Sequence, residues 1–498
     1  MTTPATPAIP LTTPVRHAGQ RPTPRWVGWF LILLPTLAAG GPLLGVGPVF
    51  AFRAAIVVLF VTAAWDWWRF QDRSRTFSVT LALGAAFAVA GVVALGWSKP
   101  PLGPALTELA GVGLLFGVAL AFVQLYRTAE TVLTIARGWL YMLVLVIVEA
   151  AWEIVSGNRL PNFYLPPEMR GVDFQWDQIA GPFHNPNQLA AACCMALLVM
   201  PIGFALEHDR RLRWAYPVVC LPVPWIILHT GSTLGLLLCL VILGTWALLH
   251  RWTRITAVPF GVVALVVLPQ GRSFLTTLWG QLGAVVQSNP DVWYSSSDRF
   301  NLMRDGVVML RRSLWLGVGP GGFPHVMSTD QLPYPTHGIV DPHSAIVEIT
   351  AQYGLSVFVA VTLVVIGAMR WCVQRLLKTR GLPFMSPERA PAVWLLMTLA
   401  LWPVSSMMNS TWLLQSMSAL QLATIAMLAR HHERPKGRLV VPSETALRQI
   451  PAGPTVGRAT GTTVGGATGT TVGGATVPTL GGATGTTVGE ATGTAERP

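Results

Sequence analysis

SSSDRFNLMRDGVVMLRRSLWLGVGPGGF at residues 295–323, and then DPHSAIVEITAQYG at 341–354, form the stretch around which the chain is organised. It is the richest part of the longest interruption in an otherwise very apolar sequence. It carries four arginines on one predicted helix, Arg299, Arg304, Arg311 and Arg312. A glycine turn follows at 317–322, and a histidine, His343, stands where the chain becomes apolar again.

The surroundings read as membrane. The chain of 498 residues is 52% hydrophobic and only 11% charged, against roughly 25% charged in soluble domains. That composition excludes an ordinary soluble enzyme. Apolar runs near the roughly 18 residues needed to cross a bilayer recur at 26–46, 50–66, 77–97, 105–125, 136–154, 187–206, 214–230, 232–249, 254–269, 344–369, 390–409 and 411–429. The expected fold is an all-α polytopic membrane protein of about twelve spans. No cleavable signal peptide is evident, and the first apolar run reads as the first span.

The net charge of +12 does not point to nucleic acid, because the basic residues sit mostly in short loops. One alternate set of loops, with the terminal segments, holds 22 basic residues, and the opposite set holds nine. The imbalance places both termini in the cytoplasm and the loops at 155–186 and 270–343 outside. Residues 1–25 read as a disordered basic arm and 26–430 as the membrane domain. The tail, 431–498, is low in complexity, with a degenerate ATGTTVGG repeat that cannot bury enough surface to fold. The five cysteines avoid the exterior loops, so no structural disulfide is expected there.

The long outer loop, 270–343, has five arginines and no lysine. Guanidinium groups grip phosphate oxygens bidentately, where lysine gives a point charge. Ser297 is a natural N-cap for a helix over about 298–314, with Phe300, Met303, Val307, Val308 and Leu310 as its apolar side. The alternative for Arg311 and Arg312 is contact with lipid headgroups. The turn containing Gly319 and Gly321 lacks the strand-and-helix context of a phosphate loop.

Asp341 can cap the next span, Pro342 suits its first position, and His343 then falls in the first turn. There the helix dipole favours a neutral imidazole, which can accept a proton. Glu348, inside the outer end of the span, is a functional candidate by default. His184, Asn185 and Asn187 repeat the pattern ahead of the span at 187–206, with Asn185 as cap. The spacing of His325, His337, Asp341 and His343 matches no zinc signature, and neither a metal nor a cofactor is expected.

Together these segments resemble the O-antigen ligase and polymerase superfamily of bacterial integral-membrane glycosyltransferases. GPFHNPNQLAA (181–191) is similar to that group's Phe-x-Asn-Pro-Asn segment. SSDRF and LWLGVGPGGF are similar to its arginine helix and Gly-x-Gly turn. HSAIVEITAQYG (343–354) matches the spacing of its His-Asn…Leu-Gln…Glu-x-Gly segment, with Ser344, Glu348 and Gln352 at the polar positions. The resemblance implies a GT-C-like helical enzyme of the bacterial inner membrane. Such an enzyme passes a glycan from a polyprenyl diphosphate, such as undecaprenyl diphosphate, to a hydroxyl on a glycan or lipid-core acceptor. It implies Arg299 as diphosphate ligand, His343 as base, and no metal. Arg304, His184, Asn185, Asn187, Glu348, Gly319 and Gly321 join them as substrate-binding candidates. One departure stands out: Thr233 occupies a position where the family has arginine, which Arg304 or Arg53 would have to fill. The competing class is a lipid-linked glycan flippase or polysaccharide transporter, which would place ionisable groups near the bilayer midplane of several spans. An acidic base in the first outer loop is disfavoured, because 41–50 has no carboxylate.

Overall fold

The computed structural model describes residues 24–46, 49–70, 74–160, 178–249 and 295–433, with Thr276 and Trp279 as isolated positions. The predicted arm (apart from Pro24 and Arg25), the predicted span at 254–269, the rest of 250–294 and the repeat-bearing tail from 434 lie outside the described residues.

In chain order the helices are α1 (Arg25–Gly40), α2 (Ala51–Phe70), α3 (Arg75–Ala94), α4 (Leu102–Leu125), α5 (Ala129–Ser156), α6 (Pro186–Leu206), α7 (Arg210–Cys220), α8 (Val223–His229) and α9 (Thr233–Leu249). After the undescribed segment come α10 (Ser295–Arg312), α11 (Gly322–Thr329), α12 (Ala345–Lys378), α13 (Ala390–Ser405) and α14 (Ser416–His431). The strands described are the antiparallel pair Gly45–Val46 and Val49–Phe50.

Eight helical segments are long and apolar enough to cross a membrane, among them α7 and α8 taken together as Arg210–His229. The sequence suggested twelve. Of the other four, α1 and α9 are shorter apolar helices, and 254–269 is undescribed. The last, read as 411–429, begins as a helix only at Ser416, because Asn409 to Gln415 is a loop. At 1.5 Å per residue a 16-residue helix such as α14 is about 24 Å long, short of the ~30 Å hydrocarbon layer.

Helix α6 is the axis of the bundle. Eighteen residues of its span window are almost all enclosed, at 94%, and its first half carries the small run Ala190, Ala191, Ala192, Cys193 and Cys194. Small side chains let neighbouring backbones approach closely, which is how membrane helices associate. At its C-terminal end the buried Glu207 takes two hydrogen bonds from Arg137 of α5, at 2.8 and 2.7 Å.

A second, smaller core lies beside the bundle. It joins Leu302 and Met309 of α10, Phe323 and Val326 of α11, and Val347 and Ala351 of α12. Ala345, Ile349 and Tyr353 of α12 belong instead to the main core. Spacing of four residues puts each trio or pair on its own face, so the first turns of α12 form a wall shared by both cores. The buried side of α10 is therefore Asp298, Leu302, Asp305, Met309 and Leu310. Phe300 and Val307, expected on that side, are exposed instead: the face that packs carries Leu302 and Met309, with Asp298 on it bound to His337.

Helix α12 is interrupted at Gly354, where φ is 83°. The break frees two carbonyls from helical pairing, and the glycine turn takes them up. Val318 N–H donates to Ala351 O at 2.8 Å and Gly319 N–H to Gln352 O at 3.0 Å. Leu355 N–H returns a bond to Trp315 O at 2.9 Å.

Candidate functional site

Two helix N-termini meet on one loop. Asn185 caps α6, its side-chain oxygen accepting from Gln188 N–H at 3.0 Å. Its amide nitrogen donates to Ser410 Oγ at 3.4 Å. From the other helix start, His343 N–H donates to the carbonyl oxygen of the same Ser410 at 3.0 Å. Ala345 N–H donates to Ser406 Oγ at 3.2 Å. The segment 406–413 between α13 and α14 thus joins the two histidine-bearing segments that the sequence places far apart.

His343 precedes the helix. Ser344 is the N-cap of α12, and His343 sits in the left-handed region at φ 46°. Asp341 therefore does not cap α12, and the first-turn dipole argument does not apply to His343. Burial does similar work. It holds the imidazole down to about 4, with the nearby charge of Arg299 adding to the effect. The ring is neutral at pH 7, and its Nδ1 is buried without a hydrogen-bond partner. His184, on the α6 side, lies close enough to Asp341 for their charges to interact. Asn187 is partly buried in the first turn of α6.

Arg299 reaches this place from α10. Among the described residues it has no hydrogen-bond partner and no carboxylate pairs with it, and burial pulls its guanidinium below the ordinary arginine value. A charge enclosed without a partner is costly unless an anion completes the site. The other arginines differ. Arg304 stacks over the rings of Phe300 and Tyr334, at 4.4 and 5.1 Å from the centroids. Arg53 lies over Phe50 at 4.7 Å. Arg311 and Arg312 are exposed beside Leu314, Trp315 and Leu316, which are also exposed. Helix α10 is anchored to the segment before His343 by Asp298, whose carboxylate meets His337 Nδ1 at 2.8 Å.

Gly319 and Gly321 hold the turn against α4. A Cβ on Gly319 would lie 2.4 Å from Ser98 Cβ, and one on Gly321 would lie 3.2 Å from the Pro104 carbonyl carbon. Both have positive φ, which suits glycine. Glu348 is fully buried. One of its oxygens accepts from Trp412 N–H at 2.6 Å and Leu413 N–H at 3.2 Å. One turn on, Gln352 donates to Glu108 of α4 at 2.6 Å. Ser406, Ser410 and Glu108 escaped the sequence reading. The polar pair Asn409-Ser410 inside an apolar run was the signal available for the first two. Among the described residues no group of three or more His, Cys, Asp or Glu is placed to hold a metal ion.

The arrangement combines a neutral imidazole, able to take a proton, with a buried guanidinium that pairs with no carboxylate among the described residues. This is the equipment for moving a group off a phosphate-bearing donor. No curated protein matches the chain. Residues 218–362 match the family model described as O-antigen ligase, a region that includes Arg299, the glycine turn, His343 and Glu348. That match, on a chain with eight helices able to cross a membrane, bears out the resemblance to the O-antigen ligase superfamily and points to a membrane glycan ligase or polymerase.

Proposed function

We propose that the protein transfers a glycan from a polyprenyl-diphosphate carrier to an acceptor hydroxyl on the outer side of the bacterial inner membrane. The observation that supports this reading is the buried guanidinium of Arg299, which pairs with no carboxylate among the described residues, beside the neutral imidazole of His343. His343 takes the proton of the acceptor hydroxyl. The acceptor oxygen then bonds to the anomeric carbon as that carbon's bond to the diphosphate oxygen breaks. The departing diphosphate carries the electron pair, and Arg299 meets its charge with a two-pronged hydrogen bond. In this reading His184, Asn185 and Asn187 serve the acceptor side, and Arg304, five residues beyond Arg299 on α10, joins in holding the donor. The charge distribution supports cytoplasmic termini for this chain. Catalysis by these side chains needs no metal.

The test uses purified protein, lipid-linked glycan and acceptor. His343→Ala should lower kcat by roughly 10² to 10⁴ while donor still binds. Arg299→Lys keeps the charge but loses the fork, so it should raise the donor KM. Activity should survive EDTA. Wild-type turnover in His343→Ala would remove His343 as base and make His184 the next candidate. A chain that moves lipid-linked glycan across vesicles without transferring it would instead be a flippase.

A further inference from the structure

Nothing within α12 fixes His343, because the residue lies ahead of the helix in a left-handed conformation that L-residues seldom adopt. Its N–H is held instead by Ser410 O, at 3.0 Å. What fixes Ser410 is then the question. Two and three residues further on, the N–H groups of Trp412 and Leu413 both end on one oxygen of Glu348, at 2.6 and 3.2 Å. Glu348 lies in the first turn of α12, so the contact closes a ring running from 343 through the helix to 348, across to 412, and back through 410 to 343.

The surroundings of Glu348 say how it acts. The side chain is fully buried, and its second oxygen has no hydrogen-bond partner. Among the described residues no cation is paired with it, so no ion pair calls for a charge here. Two backbone N–H groups, by contrast, need an acceptor, and a buried one left without it is expensive.

We infer that Glu348 is a positioning residue that fixes the 410–413 segment, and through it His343, by accepting hydrogen bonds and not by carrying charge. The inference rests on the reading of His343 as base only for its effect on turnover. The placement of His343 can be read separately.

Three variants of the full-length purified protein separate the possibilities. Glu348→Gln keeps an oxygen at the same reach. Glu348→Asp keeps a carboxylate but draws it back by one methylene. Glu348→Met keeps the length and removes the acceptor. Glu348→Gln should retain most of the turnover. Glu348→Asp and Glu348→Met should lose on the order of 10²-fold in kcat, the scale of a 1 Å misplacement, with donor KM little changed. In parallel, acylation of His343 by diethyl pyrocarbonate is followed against pH by peptide mass spectrometry. The midpoint should be the same in wild type and Glu348→Gln, and should rise in Glu348→Met and Glu348→Asp. If Glu348→Met fails to fold, the order of Gln over Asp decides the matter. Equal loss in Glu348→Gln and Glu348→Met, or retention in Asp with loss in Gln, would overturn the inference. So would an unchanged His343 midpoint in the Met and Asp variants. A shifted midpoint in Glu348→Met together with full activity in His343→Ala would sink the base assignment and leave the positioning role standing.

Discussion

The backbone N–H of His343 donates to the carbonyl oxygen of Ser410 at 3.0 Å, and the residue so held has φ 46°. A strained backbone persists only where its surroundings over-determine it, and such positions gather at functional sites. Here the bond crosses from the start of α12 to the loop before α14, which aligns the imidazole with two helices at once.

The left-handed geometry predicts a difference between two inactive variants. Both His343→Gly and His343→Ala remove the imidazole. Alanine also forces a Cβ into the left-handed conformation, at a cost of about 1 kcal/mol relative to glycine. Thermal unfolding in detergent should therefore rank His343→Gly above His343→Ala. Equal melting temperatures would mean that residue 343 is not left-handed in solution.

The pH profile should reflect the enclosed imidazole. The acid limb of kcat/KM is expected near 4, below the usual histidine value of 6.5. Arg299→Gln removes the smaller of the two causes, so the limb should rise but stay below 6.5. Stability follows the same group. Between 6.5 and about 4 the unfolded chain holds a proton that folded His343 does not. Its contribution therefore makes the fold less stable as pH falls through that window. His343→Gln should lose that part of the slope, which pH-dependent unfolding would reveal.

Gly317 marks the tightest approach of the turn to the break in α12. A Cβ there would lie 2.5 Å from Gln352 O and 2.7 Å from Gly354 N, at φ 89°. Both are backbone atoms, so they yield little. Gly317→Ala should destabilise by more than about 1 kcal/mol, seen as a lower melting temperature at normal expression. An unchanged melting temperature would show that the turn does not dock as described.

Topology is open to direct labelling. Ser328 is exposed at the end of α11. Ser328→Cys should react with a membrane-impermeant maleimide in intact spheroplasts. Reaction only after lysis would place the arginine helix in the cytoplasm and undo the proposed mechanism.

Much of this was legible in the chain. Apolar run length marks helices whatever they pack against, and Asn185-Pro186 announced a helix start that the structure keeps, side-chain cap included. The pairing of Arg299 with His343 followed from ordered segments. What resisted reading depended on contacts distant in sequence. Glu348 finds its partners 64 and 65 residues away, and they are backbone groups, which carry no residue signature. The buried face of α10 is likewise set at a distance, by Phe323, Val326, Val347 and Ala351 packing on Leu302 and Met309. Gly354 closes the Glu-x-Gly match in the sequence, and the docked turn shows why the helix opens there.

The shared wall at the start of α12 bears on how such a protein can diversify. Val347 and Ala351 answer to the arginine helix and α11, while Ala345, Ile349 and Tyr353 answer to the bundle. Under the proposed function, substitutions on the first face would reshape the layer of α10 and α11 for a different sugar or acceptor without disturbing how the spans pack. Selection can thus work on recognition and on membrane assembly as nearly separate problems, written on alternate faces of two turns of helix.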